Sequence, residues 1–120
     1  LAAKVELIIN QGEDFLCYFK WTLVDGETAV DLTGFTWEGQ IRATAQSTST
    51  LAALTVTTVT AAEGLFSISL ASTVTAELPT TGETYSDYSK YVYDVKATSS
   101  AGTVYRVLNG VVKVSPEVTK

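Results

Sequence analysis

Residues 91–114 read YVYDVKATSSAGTVYRVLNGVVKV, two β-rich runs about a short polar turn, Ser99-Ser100-Ala101-Gly102. Tyr91, Tyr93 and Val95 alternate with Asp94 and Lys96, the two-residue period of a half-buried strand. The return run, residues 103–114, is apolar on both sides, the pattern of a central strand. A hairpin of this length and so little charge belongs inside a sheet.

Further β signals lie upstream. Residues 4–10 (KVELIIN) alternate Val5, Leu7 and Ile9 with Lys4 and Glu6, and residues 11–14 form a turn. Residues 15–24 (FLCYFKWTLV) put Phe15, Cys17, Phe19, Trp21 and Leu23 on one face, and each such side chain contributes roughly 1.5–3 kcal/mol when buried. The Asp25-Gly26 pair marks a turn. Residues 35–46 alternate most cleanly, with Phe35, Trp37, Gly39, Ile41 and Ala43 opposite Thr36, Glu38, Gln40 and Arg42, so one face should meet water. Residues 50–60 and 65–70 are strands about a turn at 61–64. Ser72 is placed to cap one helical turn over residues 72–78, stopped by Pro79. Residues 80–90 form a polar loop, and residues 115–120 a tail. Glycines punctuate the turns; Gly39 and Gly110 fall inside strands, where glycine marks a bulge or a close backbone approach, and Asn109-Gly110 is the candidate bulge. About seven strands with regular turn signals predict one all-β domain over residues 1–120, an Ig-like antiparallel β-sandwich.

Composition narrows the function. The 120 residues suffice for one core, and 46% hydrophobic against 18% charged residues is the balance of a globular chain. No apolar run reaches the roughly 18 residues that span a bilayer, and no basic region followed by an apolar stretch opens the chain as a signal peptide would. The chain starts at Leu1 rather than Met, as a fragment or processed form does. The net charge is −5 and the eight basic residues are scattered along the sequence, which argues against nucleic acid and anionic membrane as partners. A single cysteine, Cys17, permits no internal disulfide and suits a reducing cytoplasm.

The absence of histidine removes Ser-His-Asp and Cys-His catalysis and histidine-ligated metals. Cys17 sits in an apolar alternation and reads as a small core residue. Carboxylates at Glu13, Asp14, Asp25, Glu27 and Asp31 could serve a loop Ca²⁺ or cap turns, and turn chemistry is the preferred assignment. No catalytic, cofactor or metal site is expected. The candidate contact residues are Tyr85 and Tyr88, in TYSDYSKYVY, because tyrosine gives rigid contact area at low entropic cost. Tyr91 and Tyr93 are expected to pack in the sheet, and Trp37 is a further candidate for stacking on a sugar.

Several blocks together resemble a family of small virion structural proteins of tailed bacteriophages. They are Gln11-Gly12-Glu13-Asp14-Phe15, the Asp31-Leu32-Thr33-Gly34 that closes the turn begun at Asp25, the aromatic strand ending Ile41-Arg42, the segment from Ser69 through Thr75 to Leu78, Tyr91 to Val95, and the run from Gly102 to Thr119. The resemblance implies an Ig-like sandwich acting without catalysis as an adaptor or attachment module of the tail, baseplate or tail fibre. Head decoration or carbohydrate recognition is the alternative. It implies other virion proteins as partners, a homo-oligomer of three or six copies, a host glycan as a further partner, and a place in the virion after synthesis in the host cytoplasm.

Overall fold

A computed structural model describes residues 3–23 and 26–120. Eight strands follow in order: β1 (Ala3–Lys4), β2 (Leu7–Asn10), β3 (Phe15–Lys20), β4 (Thr36–Arg42), β5 (Ala52–Thr60), β6 (Leu65–Leu70), β7 (Ser89–Thr98) and β8 (Val104–Ser115). A 3-10 turn (Ala61–Glu63) links β5 to β6, and a short α-helix, α1 (Ser72–Thr75), precedes the long loop into β7. The sheet runs β1-β8-β7-β4-β5-β6-β3, with β2 also on β8. It curls because β5 serves both halves: Ala52, Ala53 and Leu54 pair with β4, and from Thr55 onward the strand pairs with β6. A strand that passes from one sheet to the other makes the corner of a sandwich.

The β7–β8 hairpin stands where the sequence puts it, its turn closed by Gly102 N–H donating to Ser99 O and Ser99 N–H donating to Thr103 O. Three details differ from expectation. First, β1 and β2 lie parallel to β8, so the antiparallel pattern ends at that edge. Second, the bulge is at Val107, between the pairs Val95–Leu108 and Lys96–Arg106, whereas Asn109 and Gly110 stay in register. Gly110 marks a close approach instead: a Cβ there would lie 2.3 Å from Val5 O. Third, β8 is buried on its inner face only. Val104 is 60% exposed and Val111 39%, because no layer covers the outside of this sheet.

The strand read over residues 15–24, β3, is shorter than that. It ends at Lys20, and the chain turns into a small hairpin bridged by Thr22 and Ala29, which leaves Leu23 exposed. Val24 and Asp25, the predicted strand end and turn start, lie outside the described residues. Gly64 anchors this segment: its φ is +68°, its carbonyl accepts from Trp21 N–H, and a Cβ would stand 2.4 Å from Trp21 O. The strand over 35–46 likewise stops at Arg42, and Ala43 is exposed.

The core fills the space between the two layers. Ile9, Ile41, Ile68, Val95, Val112 and Val114 are fully enclosed, and Phe66 stacks on Trp37 at 4.7 Å and on Phe19 at 5.6 Å. Gly39 makes room for this packing, since a Cβ would press on Leu54 and Val95. Leu32, in a segment that reads as loop, is 1% exposed and plugs the core.

Tyr93 is buried, and its hydroxyl donates to Val5 O at 2.7 Å. Burial, and secondarily the charge of Cys17 at high pH, push its phenol up to about 12. Below pH about 10 it is neutral whether folded or unfolded. Between about 10 and about 12 only the unfolded chain releases the proton, so stability falls as pH rises through that window. Absorbance titration at alkaline pH should show one of the six tyrosines ionising last, and Tyr93→Phe should remove that component.

Candidate functional site

Two surfaces stand out, and the first is the loop before β7. Thr84 starts a tight turn in which its N–H and hydroxyl both donate to Asp87 Oδ2, and Asp87 N–H returns to Thr84 O. Gly82 is required by proximity, because a Cβ there would lie 2.3 Å from Asp87 O. Ser115 Oγ donates to Tyr85 O at 2.6 Å, fixing the loop to the end of β8. The ring of Tyr85 projects outward, 72% exposed, and Tyr88 is 43% exposed. Tyr91 and Tyr93 pack in the sheet, with Tyr91 hydroxyl donating to Pro79 O. Trp37 does not join the tyrosines: one face of its ring is on Phe66 and its indole N–H donates to Thr58 Oγ1 at 2.9 Å, which ties it to the inner side of the sandwich.

The second surface is the outer face of β4, β7, β8 and β1. Strand alternation and register set three cross-strand rows on it: Glu38, Lys96 and Arg106; then Gln40, Asp94, Asn109 and Lys4; then Arg42, Val92 and Val111. Lys90 and Lys113 continue the same face toward β2. Six of the eight basic residues therefore share one face, leaving only Lys20 and Lys120 elsewhere. The even scatter along the sequence becomes a cluster in space, so that ground for excluding an anionic partner falls away.

This face is concave. A groove of about 650 Å³ is lined by Lys4, Glu38, Arg42, Asp94, Lys96 and Arg106, with Val92 and Val111 at one end. Arg106 lies 3.7 Å from Asp94, and Lys113 lies 2.8 Å from Glu6, whose carboxylate holds that ammonium above its usual range. Arg42 is held by Gln40 Oε1 at 2.8 Å and Ser47 O at 2.8 Å. Lys4 and Lys96 are within ion-pair distance of no described carboxylate. Asn109 Oδ1 is buried at the floor without a donor among the described residues.

Two of the carboxylates singled out in the sequence, Asp31 and Asp14, bond to backbone N–H groups. Asp31 accepts from Thr33 N–H at 3.0 Å and from Thr33 Oγ1 at 2.6 Å, and these bonds hold its carboxyl below the usual range. Asp14 Oδ1 accepts from Ser72 N–H at 2.7 Å. Ser72 is thus the first residue of α1 and not its cap; Ala71 holds that position and has no side-chain oxygen to offer, so Asp14 supplies it from across the fold. Cys17 is a free thiol, partly buried, opposite Ile68.

The family model of the LtfC-like β-sandwich domain matches residues 2–115. No curated protein matches the chain.

Proposed function

We propose, from the premise that this chain belongs to the LtfC-like β-sandwich domain family, that it is a non-enzymatic structural module of a bacteriophage virion, an adaptor or attachment unit in the tail, baseplate or fibre region. The observation that supports it is the family match over nearly the whole chain, in a family named for a phage tail fibre-related protein. The blocks that resemble virion structural proteins point the same way. On this reading the domain works among other virion proteins, as a trimer or hexamer or docked on a symmetric neighbour, because virions repeat their parts by rotational symmetry.

Quantitative mass spectrometry of purified particles, with gold labelling, tests this. A copy number that is a small multiple of three or six, with label at the tail, is expected. Hundreds of copies per particle would make it a head decoration, and absence from particles would reject a virion role.

The exposed ring of Tyr85, on a backbone tied to the end of β8, favours the loop as a contact with a neighbouring subunit or a host glycan. Tyr85→Ser combined with Tyr88→Ser should leave stability within about 0.5 kcal/mol of the parent yet reduce incorporation into particles. Undiminished incorporation together with a flat glycan array would remove the loop from either role.

A further inference from the structure

We propose that the concave outer face of β4, β7 and β8 binds an acidic segment of a partner protein, through Lys4, Lys96 and Arg106 and against the apolar strip of Val92 and Val111. The chain carries −5, yet six of its eight cations face one way. The described carboxylates on that face are Glu6, Glu38 and Asp94. A face of net positive charge on an acidic protein is costly in self-energy terms to no structural end, since Lys4 and Lys96 hold nothing in place. It is complementary to an anionic surface, and such complementarity governs encounter rate and choice of partner.

The pattern favours a protein over a polyphosphate. Glu38 stands in the first row of cations and Asp94 in the second, so a uniformly charged backbone would meet a carboxylate in each. Ile8, 51% exposed, Val92 and Val111 add an apolar strip that a phosphate backbone cannot use. Apolar side chains set beside charged ones are what a protein interface uses. A peptide also brings N–H donors to a groove whose floor holds the unpaired Asn109 Oδ1.

That the partner is a protein rests on the attachment role; the charge on the face does not. The test is fluorescence anisotropy with a labelled peptide of three Glu-Val-Asp-Ser repeats, on the intact domain. Saturable binding is expected, weakened about tenfold or more by Lys96→Glu with Arg106→Glu and by added salt, and retained in Lys20→Glu with Lys120→Glu. Lys96→Gln with Arg106→Gln provides the same comparison if charge reversal prevents folding. No saturable binding, or equal loss in the control pair, overturns the proposal. Duplex DNA binding as tightly as the peptide overturns the protein assignment. So does sedimentation in which the wild type self-associates through this face and the peptide does not compete. A domain absent from particles that still binds the peptide would sink the attachment role alone; a tail-located domain that does not bind would sink this proposal alone.

Discussion

Replacing Phe66 with alanine is expected to lower the unfolding free energy by about 3–5 kcal/mol, the range for deleting a buried aromatic ring. The ring is 1% exposed and sits between Phe19 and Trp37, so both its faces are used. Phe66 belongs to β6, in the half of the sheet that ends at β3, whereas Trp37 belongs to β4 in the other half. Removing the ring therefore opens a cavity where the two layers meet, beside the corner strand β5. At roughly 3–5 °C per kcal/mol for a domain of this size, the melting temperature should drop by about 10–25 °C. Urea unfolding followed by tryptophan emission checks it, with Trp37 reporting directly. A loss below about 1 kcal/mol would show that the layers are not held together here.

The period-two pattern made the strands legible. Residues 65–70 and the hairpin after residue 90 appear nearly as written, because alternation of Phe66, Ile68 and Leu70, or of Tyr91, Tyr93 and Val95, leaves one face to bury. Strand ends were less legible. Nothing local to residues 15–24 says that Lys20 is last; the hairpin of Thr22 with Ala29 is held by Gly64, far along the chain, whose carbonyl accepts from Trp21 N–H. Leu32 read as loop because one buried leucine has no period.

The candidate surfaces divide in the same manner. Tyr85 and Tyr88 were visible, since a polar loop exposes what it carries. The basic face was not. Lys4, Arg42, Lys96 and Arg106 come from four strands, and only the register brings them into adjoining rows, with the bulge at Val107 deciding which way Arg106 faces. The motif blocks themselves hold the fold. Asp31 and Thr33 close a turn on each other, and that turn delivers Leu32 to the core. Family likeness in such residues speaks for architecture; the surfaces that would select a partner lie outside them.

The tightest convergence of those blocks predicts the second large effect. Thr75→Val should cost about 2–4 kcal/mol although it preserves shape. Thr75 is fully buried; its hydroxyl accepts from Gly12 N–H at 3.1 Å and donates to Glu13 O at 2.9 Å. Gln11 completes the knot, donating to Leu78 O and accepting from Glu117 N–H. Three segments far apart in sequence are thus joined by two side chains: the turn between β2 and β3, α1, and the residues after β8. Valine would fill the space and leave a donor and an acceptor without partners, each worth about 1–3 kcal/mol. Thr75→Ser keeps the hydroxyl and loses a methyl, a change of about 1 kcal/mol. Urea titrations of both variants separate the causes: a valine protein as stable as the serine one would mean that packing, not hydrogen bonding, ties this end of the sandwich together.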